Sequence, residues 1–104
     1  MQRNQSINDQ IDPVVTGLQL LAHVVGDPDL GDRFLALTGM SADDLRARAT
    51  DRGVLAALID FLAARDDDLL AAADALALSP AAIIAVGKAL DGDQGVFRAE
   101  DDWT

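Results

Sequence analysis

Three prolines constrain this chain more than any other feature. Each follows a residue that caps helices, in Asp12-Pro13, Asp27-Pro28 and Ser79-Pro80. Proline has no N–H to leave unpaired in a first helical turn, and its fixed φ suits that position. The Asp or Ser before it offers a side-chain oxygen to the turn's free N–H groups. Each pair therefore predicts a helix start. Ser41, with Asp43 and Asp44 behind it, and Asp51 predict two more, because carboxylates in a first turn also oppose the positive end of the helix dipole. Gly26 and Gly39 stand where helices should stop, Arg65 to Asp68 form a polar break, and Gly92 reads as a C-terminal cap.

Between these marks the apolar residues recur at helical spacing. Val14, Leu18, Leu21 and Val25 stripe the first segment, flanked by Val15 and Ala22; Leu30, Phe34 and Leu37 stripe the second. The third, Ala42 to about Ala49, has only Leu45 as a strong anchor. Val54, Leu55, Leu58, Ile59, Phe61 and Leu62 make the fourth the most apolar, which places it at the centre. Leu69, Leu70, Ala73, Leu76 and Ala77 carry the fifth, with Asp66 to Asp68 as its cap and first-turn acids. Ile83, Ile84, Val86 and Leu90 carry the sixth. The expected fold is all-α, a single-domain bundle of five to six short helices joined by helical corners. Residues 12–92 form the domain, between an N-terminal arm (1–11) and an acidic tail (93–104).

Composition agrees and narrows the function classes. The chain has 104 residues, enough for one core, and half are hydrophobic. Ala and Leu, the best helix formers, dominate that half, while aromatics are 4%. Without cysteine there is no disulfide framework, thiolate metal site or cysteine nucleophile. A net charge of -10 repels phosphate backbones, which argues against a nucleic-acid partner. Almost all the acid is Asp, a capping residue, and Glu100 is the only Glu. Met1 to Asp12 lacks the apolar core of a secretory signal. The stretch Leu69 to Leu90 is apolar enough to suggest a membrane span, but it holds Asp74, Lys88 and the Ser79-Pro80 break. Since a mid-membrane charge costs about 2.5–3.5 kcal/mol, two buried helices explain it better. No membrane association is expected, and cytoplasm is the expected location.

Two segments can be superimposed. Leu37-Thr38-Gly39-Met40-Ser41-Ala42-Asp43-Asp44-Leu45 and Ala75-Leu76-Ala77-Leu78-Ser79-Pro80-Ala81-Ala82-Ile83 both read as helix end, small residue, apolar residue, serine cap and new helix. Reuse of a common helical corner is the plainer account, duplication the alternative. The run from Asp27 to Arg46, with Val54 to Leu62 behind it, resembles a bacterial domain-of-unknown-function family, number 3572. The likeness covers roughly residues 13–92, and Arg33-Phe34-Leu35-Ala36-Leu37-Thr38-Gly39 is its most specific part. That resemblance implies a small helical bacterial protein and supplies no activity, cofactor or catalytic residue.

Motifs with chemistry in them are few. Leu70 to Leu90 has the small-residue, anchor, turn and anchor order of a DNA-binding helix-turn-helix. Its second helix, however, offers only Lys88 to bases or phosphates, and two packed core helices are the better reading. Asp91-Gly92-Asp93-Gln94-Gly95 with Asp102 echoes a calcium loop but misplaces its glycine, so a solvated acidic tail is expected there. His23 is the only histidine, set among Leu20, Leu21, Val24 and Val25, and reads as a boundary residue. Ser6, Ser41 and Ser79 lack a nucleophile-elbow pattern. No catalytic, cofactor or metal residue is assigned, and an enzyme is not expected.

Three residues are candidates for partner contact. Arg33 follows Asp29 by four positions, which suits an exposed ion pair, with a surface contact as the other reading. Phe97 and Trp103 are aromatic residues in the acidic tail. Trp103 is either an anchor for a partner or a cover for the bundle's own apolar surface. The chain is expected to be a non-catalytic protein-interaction module with an unidentified protein partner. The alternative is a nucleic-acid-linked regulator, through the weak helix-turn-helix or as an acidic mimic of DNA.

Overall fold

The computed structural model describes the backbone of residues 12–102 and the side chains of residues 12–91. Six helices follow one another with no strand among the described residues, an all-α single domain: α1 (Pro13–Val25), α2 (Pro28–Thr38), α3 (Ala42–Ala47), α4 (Arg52–Ala63), α5 (Asp66–Leu76) and α6 (Pro80–Asp102).

The starts follow the capping residues. Asp12 Oδ1 accepts from the Val14 N–H at 2.9 Å, Asp27 Oδ1 from Asp29 and Leu30, and Asp51 Oδ1 from Gly53 and Val54. Ser41 and Asp44 form a reciprocal box. The Ser41 hydroxyl accepts from the Asp44 N–H at 3.0 Å, and the Asp44 carboxylate accepts from the Ser41 N–H at 3.2 Å. Ser79 Oγ accepts from the Ala82 N–H at 3.0 Å. Helix α5 departs from this scheme. Its cap position is Arg65, which makes no side-chain capping bond, so Asp66, Asp67 and Asp68 all lie in the first turn. There the dipole favours them without a cap.

One stop differs from expectation. Helix α6 does not end at Gly92 but continues to Asp102. Gly39 ends α2 in the left-handed conformation, at φ 77°, whereas Gly26 ends α1 with its backbone still right-handed, at φ -77°. Inside a helix glycine costs only about 1 kcal/mol relative to alanine. Gly17, Gly31, Gly53 and Gly87 are likewise within helices.

Helix α4 lies at the centre, packed against α6, α1 and α5. Leu55, Leu58 and Leu62 are fully buried and Ile59 nearly so. Two glycines let its neighbours come close. A Cβ on Gly17 of α1 would lie 3.0 Å from Leu55 Cδ1, and one on Gly87 of α6 would lie 2.7 Å from Ile59 Cγ2. Around α4 the core is completed by Leu20 and Val24 from α1, Phe34 from α2, Ala72 from α5, and Ile83 and Leu90 from α6. No single helix among the described residues is long and apolar enough to cross a membrane. Asp66–Leu76 and the first half of α6 are bent against each other by 97°.

Candidate functional site

Helix α3 is only six residues long, and Leu45 is its one buried residue. It closes one side of a trough whose other walls are α1 and α2. Each wall contributes residues at i, i+3, i+4 and i+7: Leu18, Leu21, Ala22 and Val25 from α1; Pro28, Gly31, Asp32 and Leu35 from α2; Ala42, Leu45, Arg46 and Ala49 from α3 and the turn after it. In α1 and α2 that spacing marks one face of a helix over two turns, about 10 Å of rise, whereas α3 holds it only from Ala42 to Arg46. The trough is open to solvent on one side and has a volume of about 570 Å³.

The local sequence explains the opening. Helix α1 stops at Gly26, and Asp27-Pro28 starts α2 at once, so the two helices turn back against each other. Gly31 lies against the end of α1, where a Cβ would stand 3.4 Å from the Val24 carbonyl oxygen, an ordinary contact distance. The Gly39–Ser41 corner then swings α3 across the open side, and its shortness leaves it unable to fill the space. Leu21 and Leu45 floor the trough, while Val25, 54% exposed, stands on its lip. Two charged side chains line it. Arg46 is already paired with Asp43 at 3.0 Å, whereas Asp32 has no ion-pair partner among the described residues.

Arg33 faces the other way and is more than an exposed pair. Its Nε donates to Asp29 Oδ2 at 3.2 Å and its Nη2 to both oxygens of Asp68, at 3.2 and 3.1 Å. Its guanidinium carbon also lies 5.4 Å from the centre of the Phe61 ring, which itself packs on Phe34 at 5.3 Å. Partial desolvation opposes the charge on Arg33. The hydrogen bonds to Asp68 and Asp29 and their coulombic pull outweigh that effect and hold its pKa above the ordinary value. Arg33 thus ties α2 to α5 across the end of α4. Beside it a shallower groove of 780 Å³, walled by Ala36, Ala57 and Ala64, leaves Leu37 68% exposed.

A family model described as a protein of unknown function, DUF3572, matches residues 10–93. The chain belongs to that family. No curated protein and no solved structure matches it. The match carries no activity, so the chemistry of this DUF3572 chain has to be read from its own side chains.

Among the described residues no three His, Asp or Glu side chains are grouped to hold a metal ion. His23 is half-buried on α1, and its Nε2 is closed off from solvent without a hydrogen-bond partner among the described residues. Ser41 and Ser79 are caps, and Ser6 lies outside the described residues. In the helix-turn-helix segment Ile83, Val86 and Gly87 are buried, which leaves Lys88 as the cation of the exposed face through Asp91. The backbone of Phe97 is in α6, but its side chain lies outside the described residues, as does Trp103 altogether. Sequence reasoning missed Asp68 and Phe61 as partners of Arg33, and it missed the trough. The trough shares Leu18, Leu21 and Leu45 with the stripes read as core, so only the exposed Ala22, Val25 and Asp32 set it apart, and sequence spacing does not separate the two uses.

Proposed function

We propose that this DUF3572 chain acts by binding another protein, without catalysis, and that the trough between α1, α2 and α3 is its binding face. The observation that carries this is the trough itself: mainly apolar residues of α1, α2 and α3 border about 570 Å³ of open space, with Leu21 and Leu45 packed into the core beneath it and Ala22 and Val25 left exposed at its edge. Its size and lining are those of a binding site, with a mainly aliphatic surface and a small number of polar groups. Its ionisable lining is one carboxylate, Asp32, and one guanidinium, Arg46, with no histidine, serine or cysteine beside them. The composition of the α5–α6 segment supports the same reading over nucleic-acid binding, since its second helix turns apolar residues to the core and presents one lysine.

The test is affinity capture from the source organism at low and at high salt, with the wild-type chain and Val25→Glu side by side. Capture that survives high salt and is lost in Val25→Glu supports an apolar interface at the trough. Capture of basic proteins that collapses at moderate ionic strength, unchanged by Val25→Glu, would favour an acidic mimic of DNA and overturn the assignment.

A further inference from the structure

Resting on that binding face, we infer that the trough takes one short amphipathic helix of a partner protein, and that this helix is cationic beside its apolar row. The shape argument comes from the walls. The α1 and α2 walls are helix faces with i, i+3, i+4, i+7 spacing and α3 adds one further turn, so a helical ligand can set its own ridges into their grooves. A peptide added as a β-strand would need a free sheet edge, and no strand exists among the described residues. About two turns of helix match the length of the α1 and α2 walls.

The charge argument comes from Asp32. Helix α3 brings its own cation, Arg46, into the lining, but that guanidinium is turned to Asp43, three residues earlier, at 3.0 Å in an exposed ion pair. Asp32, exposed on the facing wall, keeps its carboxylate unpaired among the described residues. A lysine or arginine next to the ligand's apolar row meets it, and a glutamate there is repelled. The net charge of -10 steers in the same direction over longer range.

The experiment uses the full chain and two synthetic helical peptides with one apolar i, i+3, i+4, i+7 row. One carries lysines and the other glutamates at the flanking positions, and binding is read by fluorescence anisotropy. The cationic peptide should bind at least about tenfold tighter than the anionic one, and Val25→Glu or Ala22→Glu should weaken it about tenfold or more. Both positions are exposed, so circular dichroism should report an unchanged fold for these variants. Asp32→Asn should reduce the preference for lysine several-fold, whereas Asp74→Asn on α5, the same change in net charge, should not. Equal loss in Asp32→Asn and Asp74→Asn, or equal binding of the two peptides, overturns the cationic assignment but leaves the trough as a binding face if Val25→Glu still abolishes binding. Binding by neither peptide, or binding indifferent to Val25→Glu and Ala22→Glu, overturns both readings.

Discussion

The corner between α2 and α3 and the corner between α5 and α6 are built alike and lead to opposite ends. In each, a left-handed residue closes the first helix: Gly39 at φ 77° and Ala77 at φ 57°. An apolar residue follows, Met40 or Leu78, and then a serine whose hydroxyl accepts from the N–H three residues on. After the first corner comes a helix of six residues held by Leu45 alone. After the second comes one of 23 residues that buries Ile83, Val86 and Leu90. The turn chemistry therefore starts a helix and does not decide its use. What decides is the next two turns of sequence: Asp43, Asp44, Arg46 and Arg48 on one side, and Ala82, Ile83, Val86 and Gly87 on the other. The corner that leads into the core stabilises the fold, and the one that leads away leaves the trough.

Leu45 and Ile83 occupy equivalent places in the two corners, so truncating each is the strongest test. Ile83→Ala should cost about 2–5 kcal/mol of global stability in chemical denaturation, since a fully buried side chain leaves a cavity against α4. Leu45→Ala should lower the midpoint less, and hydrogen exchange should report loss of protection confined to α3. Equal losses in the two variants would mean that α3 belongs to the same cooperative unit as the core.

The next test concerns how closely the second helix may approach. Gly87 of α6 corresponds to Ala49 beyond α3. A methyl group on Gly87 would lie 2.7 Å from Ile59 Cγ2, and a β-branched side chain in a helix has one strongly preferred rotamer with which to give way. Gly87→Ala should therefore destabilise by about 1–3 kcal/mol, against the gain of about 1 kcal/mol that alanine brings to an exposed helix position. A stabilised Gly87→Ala variant would show that α6 can shift away from α4 at no cost.

The parts of this architecture legible in the sequence were the local ones. Asp12, Asp27, Ser41, Asp51 and Ser79 cap as their types and neighbours predict, and the most apolar helix, with Leu55, Leu58 and Leu62, is the central one. Glycine was harder, because one residue type serves three purposes here: a left-handed stop at Gly39, a notch at Gly17 and Gly87, and neither at Gly92, where the helix runs on. Only the third dimension separates those roles. The same is true of Arg33. Its partner at i−4 could be read from spacing, but Asp68 is 35 residues away and meets it only because α2 and α5 both end up beside Phe61. The trough was written as three stripes, yet nothing in one dimension says that they face the same space.

The left-handed position itself offers a smaller, reciprocal test. Alanine pays about 1 kcal/mol for a conformation that glycine adopts freely. No atom lies within 4 Å of a Cβ placed on Gly39, so Gly39→Ala should lose about that amount by backbone strain alone. Ala77→Gly should gain a similar or somewhat smaller amount, because the more flexible unfolded chain offsets part of the relief. Thermal melting of the two variants should move in opposite directions. Movement in the same direction would mean that the two corners are alike in outline only.

Acidity should separate the corners most gently. Asp44 completes the box on Ser41, and the equivalent place in the second corner is Ala82. The hydrogen bond from the Ser41 backbone, followed by that with its side chain, holds the Asp44 carboxyl below the ordinary aspartate value of 3.8. A carboxyl whose pKa is lower in the folded state contributes its stability above the unfolded value and loses it as pH falls through the folded one. Below pH 3.8, then, the start of α3 should loosen while the start of α6, capped by a hydroxyl that does not titrate in this range, keeps its protection. Amide exchange at Asp44 and Leu45 against Ala82 and Ile83, followed from neutral pH into acid after correction for intrinsic rates, measures the difference directly. Parallel loss at both corners would assign the acid sensitivity to the bundle as a whole, and Asp44→Asn should then change nothing; with the box responsible, Asp44→Asn should flatten the pH response of α3 alone.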